Sequence, residues 1–161
     1  MGHEPLLLFT YGTMRKFAYN NGRIARGRYI GQAETCEPFA MVGRKSPRQI
    51  PYIGRVPSDD GLHGTEVHVK GDVVLLTPEL LYRVDKAEGH PHYYEREMCH
   101  VRMDDGTLLQ AWVYLFDVHE EWGDPIETGD FEDWYSPELH EKQGHSKAQF
   151  FDPTGYKHRL F

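Results

Sequence analysis

The sequence predicts an α+β fold: a small, mixed, mostly antiparallel β-barrel with short helices, built as a single domain over residues 1–161. Three observations carry that expectation. Strand-length apolar pieces are separated by Pro- and Gly-containing turns, which gives six or seven strands with mostly antiparallel signals. One helix carries its own start and stop signals, and one hairpin carries its own turn. At 161 residues and 39% hydrophobic, the chain can bury one good core and is too short for two ordinary domains.

In chain order, Pro5 to Tyr11 reads as a buried first strand ending in the glycine turn at Gly12. Asn20 or Asn21 can cap a short helix running to about Arg26, which Gly27 stops. Tyr29 to Thr35, Phe39 to Arg44 and Pro51 to Val56 are strand-length, broken by Glu37-Pro38, Ser46-Pro47 and the run Pro57 to Gly61. Leu62 to Lys70 alternates Thr65, Val67 and Val69 with Glu66, His68 and Lys70, the pattern of a half-exposed strand. Thr77-Pro78 then opens a helix, because the hydroxyl caps it and proline suits the first helical position. Leu80, Leu81 and Val84 share its apolar face, Gly89 stops it, and Glu88 falls in its last turn. Tyr94 to Met103 and Thr107 to Phe116 form the clearest hairpin, joined by Asp104-Asp105-Gly106.

Residues 117–161 form an aromatic, acidic C-terminal extension, with a helix expected from Ser136 to Gln143. Its aromatic content argues against pure disorder and makes it a candidate flap on the barrel or a homodimer contact. The first third of the chain is distinctly basic, whereas residues 117–138 hold nine Asp or Glu and no Lys or Arg. That asymmetry fits either two solvated faces or a tail folded back over the first third.

Net charge and cysteine usage exclude several classes of function. A net charge of −7 runs against nucleic-acid binding, which needs cations to displace phosphate counterions. The apolar run Pro5 to Phe9 is too short for a signal peptide or a membrane span, so a cytoplasmic protein without membrane attachment is expected. Cys36 and Cys99 are the only cysteines and lack the paired spacing of a disulfide framework or a zinc site.

Two segments carry the chemistry. Phe9-Thr10-Tyr11-Gly12-Thr13-Met14-Arg15 is a strand entering a glycine turn, where Gly12, tolerating positive φ and lacking a Cβ, is expected to let backbone N–H groups swing toward an anion or a carbonyl. About 75 residues later comes Asp85-x-x-Glu88-Gly89-x-Pro91-x-x-Tyr94-x-Arg96, a helix ending in a carboxylate. In this order the two resemble the γ-glutamylcyclotransferase-like superfamily, and within it the γ-glutamylamine cyclotransferase branch. That branch typically reads Tyr-Gly-Thr-Leu-Arg in the first motif, so Met14 is the one departure. Branches acting on glutathione typically carry Tyr-Gly-Ser instead. The resemblance covers residues 5–116 and implies the fold of that superfamily.

The resemblance implies a cyclotransferase that takes a small γ-glutamyl substrate and needs no metal or other cofactor. The substrate's own α-amine attacks the γ-carbonyl, closing 5-oxoproline and releasing a free amine. Glu88 is the expected general base and then acid, since burial and the negative end of the helix dipole both favour its protonated form. Gly12, Thr13 and Met14 are the expected backbone donors, Tyr11 a pocket wall, and Arg15 a partner for a substrate carboxylate. Asp85, Tyr94, Arg96 and Tyr114 are expected to support the site. The acidic surface suits a cationic leaving amine.

Two rival readings accompany this one. A protein of the same fold can bind without turnover. His90-x-His92 followed by Glu97 has the spacing of a first cupin metal motif, but Val84 stands where that motif needs glycine and His119 is a lone distant fourth ligand.

Overall fold

The computed structural model describes residues 6–16, 21–24, 26–46, 48–55, 65–116, 118 and 123–143. Five strands, β1 (Leu6–Thr10), β5 (Lys70–Leu76), β2 (Arg28–Thr35), β6 (Glu95–Met103) and β7 (Leu108–Leu115), close on themselves in that spatial order. The pairings are antiparallel except at the seam, where β1 meets β7 in parallel through Leu8 and Trp112. A second sheet has the order β4 (Ile50–Gly54), β3 (Ala40–Arg44) and β8 (Asp124–Pro125). The fold class is thus α+β with mostly antiparallel strands.

β5 corrects the sequence expectation. The alternating stretch before it is not a paired strand: of its described residues, Val67 makes an isolated bridge to Phe39, and regular pairing begins only at Lys70. β5 lies between β1 and β2, so Val73 and Val74, which face opposite sides, are both buried. A strand covered on both faces loses the alternation that marks a half-exposed one. Elsewhere the differences are at the ends. Phe39 stands outside β3, β4 runs from Ile50 to Gly54, and Asn21–Ile24 is one 3-10 turn. Asn20, Val56, the run Pro57 to Gly61 and the tail aromatics from residue 144 onward lie outside the described residues.

Strand alternation divides the interior into two clusters. In β1, Phe9 faces one with Phe39, Val73, Val101 and Val113, while Leu8 faces the other with Val42, Val74, Leu81 and Val84. The described part of the tail enters the first cluster, since Ile126, Phe131 and Tyr135 are buried there. Fully burying a side chain such as Phe131 is worth about 1.5–3 kcal/mol, enough to hold the short helix α2 (Phe131–Trp134) in place. The acidic tail does fold back over the first third: β8 pairs with β3, and Arg15 donates to Asp130 at 2.9 Å. Ser136 caps α3 (Pro137–Lys142) through Leu139 N–H, as the sequence predicts.

The helix α1 (Pro78–Glu88) is determined at both ends by local chemistry. Thr77 Oγ1 accepts the Leu80 N–H at 3.1 Å, and Pro78 takes the first turn. Gly89 adopts φ 72°, a left-handed conformation that glycine enters without strain, and its N–H closes onto the Asp85 and Lys86 carbonyls. The backbone therefore leaves the helix immediately after Glu88. Among the described residues no helix is long and apolar enough to cross a membrane.

Candidate active site

The two motifs meet at one cavity of about 230 Å³. Residues 9–14 form one side, Ala87 and Glu88 at the end of α1 another, and Ile50, Pro51 and Tyr52 of β4 a third. Among the described residues Arg48, Tyr93, Tyr94 and Tyr114 complete the lining. Tyr11, Met14, Tyr94 and Tyr114 are buried, whereas Glu88 is partly accessible.

Gly12 is needed here for space, and that corrects the expectation that it supplies a positive φ. Its φ lies outside the left-handed region, unlike Gly31, Gly89, Gly106 and Gly129. A Cβ at position 12 would stand 2.5 Å from Pro51 Cγ, so the missing side chain lets β4 close over the loop. The turn is then pinned behind the cavity: Arg15 N–H donates to Gly12 O at 3.0 Å and Lys16 N–H to Asp72 Oδ2 at 2.7 Å.

Arg15 points away from the cavity, so the structure does not support its expected contact with a substrate carboxylate. Its side chain is 4% exposed and lies among three acids, Asp130 at 2.9 Å, Asp72 at 3.6 Å and Glu132 at 3.8 Å. Burial pushes the Asp72 and Glu132 carboxyls up, against the pull of the Arg15 guanidinium. Arg15 therefore joins the segment after the glycine turn to β5 and to the start of α2.

A second network braces the Glu88 turn. Asp85, one turn before Glu88, accepts from Arg96 Nε at 2.7 Å and Nη2 at 2.9 Å, and from the Tyr114 hydroxyl at 2.6 Å. Burial would raise the Asp85 carboxyl, but these donors outweigh it and hold the group below its ordinary value. The Arg96 guanidinium also stacks over Trp112 at 4.2 Å, which ties β6 to β7. The loop after the helix is closed by Arg96 N–H donating to His90 Nδ1 at 3.0 Å.

Five tyrosines, Tyr11, Tyr52, Tyr93, Tyr94 and Tyr114, line the cavity together with Glu88. Burial raises Tyr11, Tyr94 and Tyr114 above the ordinary phenol value, and negative charge on Glu88 adds to the effect at all three. Tyr52 is pushed up to about 12 by burial and by its 3.2 Å hydroxyl contact with Tyr93. These phenols stay protonated at neutral pH and keep an O–H that can donate. Tyr11 directs its hydroxyl to the Tyr114 carbonyl at 2.7 Å, so it presents mainly its ring to the cavity.

The sequence reading did not pick out Arg48, Pro51, Tyr52 and Tyr93 as cavity residues. The signal available was the Tyr93-Tyr94 pair inside the second motif; Arg48 precedes β4 and carries no local pattern. The rival metal set does not converge. Among the described residues no three His, Cys, Asp or Glu side chains gather at ligand distance, His90 accepts a backbone N–H, and Glu97 pairs with Arg55 at 2.9 Å. His119 lies outside the described residues.

Comparison with known proteins matches the same regions. A family model described as gamma-glutamyl cyclotransferase, AIG2-like, aligns with residues 8–133. A Methanocaldococcus jannaschii protein provisionally named a gamma-glutamylcyclotransferase is 30% identical over 129 residues, covering 79% of this chain and 96% of that one. A Drosophila melanogaster protein of the same provisional name is 26% identical over 114 residues, 67% of this chain and 68% of its own. Among solved structures, an AIG2-like protein from Mus musculus superposes with a TM-score of 0.66 at 22% identity, over 84% of this chain and 91% of that one. The match through β1, α1 and the Asp85 to Arg96 segment, on a fold of the same architecture, places this chain in the gamma-glutamyl cyclotransferase, AIG2-like family.

Proposed function

We infer that the protein is a cyclotransferase that cleaves a γ-glutamyl amide and releases 5-oxoproline and a free amine. The observation that carries the reading is the meeting of the Tyr11–Met14 turn and Glu88 across one small, tyrosine-lined cavity. An extended γ-glutamyl group is folded when its two ends are held there, and oriented intramolecular attack can recover up to about 7–11 kcal/mol of the barrier.

In this reading Glu88 takes a proton from the α-ammonium, and the freed amine nitrogen attacks the γ-carbonyl carbon. Backbone N–H groups of residues 12–14 stabilise the oxyanion and receive the α-carboxylate. The amide C–N bond breaks as Glu88 returns the proton to the departing nitrogen. The new lactam nitrogen sheds its second proton by the same route, so the product amine leaves as an ammonium ion. Partial burial and the carboxyl end of α1 favour the neutral acid and so suit Glu88 to both roles. Asp85, Arg96, Tyr94 and Tyr114 act as support, holding the last turn of α1 against β6 and β7. The threonine of Tyr11-Gly12-Thr13 favours the branch that acts on γ-glutamyl amines over glutathione.

The test is direct. Purified protein is incubated with a panel of γ-glutamyl amides and 5-oxoproline is measured by mass spectrometry, beside Glu88→Gln. Release by the wild type and its loss in the variant support the reading. Binding of the panel without release by the wild type would assign the fold a binding role instead.

A further inference from the structure

The tail does more than cover the core, because two of its residues are bonded beside the walls of the cavity. Asp130 caps α2 by accepting the Glu132 N–H on Oδ1 at 2.9 Å, and the same oxygen accepts Arg15 Nη1 at 2.9 Å. Further along, Gln49 donates its side-chain N–H to the Ser136 carbonyl and accepts the Ser136 N–H, both at 2.7 Å. Gln49 immediately precedes β4, and Arg15 immediately follows the part of the glycine turn that lines the cavity. The segment from Asp130 to Ser136 is thus tied to both.

The Arg15 link bears on the turn itself. The N–H groups of residues 12–14 move with the backbone that carries them, so their aim depends on what fixes the turn at each end. Before it, β1 is paired with β5 as far as Thr10 and Asp72. After it, Lys16 N–H donates to Asp72 Oδ2 at 2.7 Å, and the Arg15 guanidinium stands between Asp72 and Asp130. Asp72 belongs to the barrel, whereas Asp130 belongs to the tail.

Close backbone packing brings Asp130 to this place. Gly129 has φ 76°, its carbonyl accepts the Lys70 N–H at 2.9 Å, and a Cβ there would stand 2.3 Å from His68 O. The tail therefore lies directly against the start of β5 just before it reaches Arg15. The Arg15 and Asp130 side chains are 4% and 18% exposed, so their contact is shielded from the solvent that weakens surface pairs.

We propose that Asp130 is a positioning residue for the reaction: through Arg15 it fixes the backbone donors of the glycine turn where the oxyanion forms, so the tail completes the active site. The proposal rests on the cyclotransferase reading above. Contacts to an oxyanion are made in the transition state, so a turn that drifts loses kcat more than it loses ground-state binding. A displacement of about 1 Å can cost about 10²-fold in rate.

Two substitutions at Asp130 separate the link from the cap. Asp130→Ser keeps a good N-cap for α2, but its hydroxyl ends one bond short of Arg15, whereas Asp130→Asn keeps both the cap and the acceptor oxygen. On a γ-glutamyl amide that the wild type turns over, Asp130→Ser is expected to lower kcat roughly ten- to a hundredfold, with a smaller change in KM, and Asp130→Asn to restore most of that loss. Arg15→Lys breaks the link from the turn side, because an ammonium cannot span the three acids that the guanidinium meets, and is expected to show the same kcat loss. Ile126→Ala loosens the tail in the core and is expected to lower Tm while kcat of the folded enzyme stays at the wild-type value. A wild-type kcat in folded Asp130→Ser or Arg15→Lys, no recovery in Asp130→Asn, or an equal kcat loss in Ile126→Ala overturns the proposal and leaves the cyclotransferase reading intact. A wild type that releases no 5-oxoproline from any γ-glutamyl amide overturns both.

Discussion

Replacing Asp85 with alanine tests whether its network holds the last turn of α1. Three hydrogen bonds end on this carboxylate, at 2.6, 2.7 and 2.9 Å, and the Asp85 and Arg96 side chains are only 13% and 18% exposed. Truncation leaves a guanidinium and a phenol without their hydrogen-bond acceptor in a mostly dry site. Breaking one side of a buried pair costs about 3–5 kcal/mol, whereas an exposed pair is worth about 1 kcal/mol or less. The remaining solvent access places this pair below the buried limit, at about 2–3 kcal/mol. For a domain of this size that corresponds to roughly 5–10 °C in Tm.

Urea unfolding followed by tryptophan fluorescence gives the free-energy difference, and pH supplies a second arm. Because the donors hold the folded carboxyl below its ordinary value of 3.8, its contribution is complete above that value. It fades as pH falls below 3.8 and is gone beneath the depressed folded value. The gap between wild type and variant should therefore be full at neutral pH and should narrow in acid. A loss under about 1 kcal/mol, or a gap that does not change down to the lowest pH at which both proteins fold, would refute the reasoning.

Glu88→Gln should keep the fold and most substrate affinity while lowering kcat by about 10²–10⁴-fold, and an ionisation above the ordinary glutamate value should vanish from the pH profile of its residual activity. Near wild-type release of 5-oxoproline would move the search to another acid, Asp85 first. Gly12→Val should crowd Pro51, costing about 1–3 kcal/mol in a melt, and should weaken binding of 5-oxoproline in calorimetry. Unchanged affinity in a folded variant would remove the turn from the mechanism. Truncation after Phe116 removes Ile126, Phe131 and two of the three acids around Arg15, Asp130 and Glu132, so it should lower Tm and solubility. An equally stable, soluble product with the same substrate preference would show that the tail has neither a core nor a site role.

What could be read from the sequence was what neighbouring residues decide among themselves. Thr77-Pro78 and Gly89 bound α1 because a cap and a stop act within one turn, and that put Glu88 in the last turn without any tertiary information. The β6–β7 hairpin was legible for the same reason, through its Asp105-Gly106 turn and the continuous register from Glu95 to Arg102. β5 was not, because burial on both faces erases the alternation that identifies a strand and depends on which strands lie beside it. The meaning of single residues also waited for distant partners. Gly12 looked like a φ > 0 position and is a contact surface for Pro51, 39 positions away. Arg15 looked like a substrate ligand and is claimed by Asp72, Asp130 and Glu132. Arg48 had no motif at all and reaches the cavity rim because Gln49 is tied to Ser136. Local sequence chemistry selects a backbone conformation, whereas the partner of a side chain is chosen by which strands and helices the whole chain brings together.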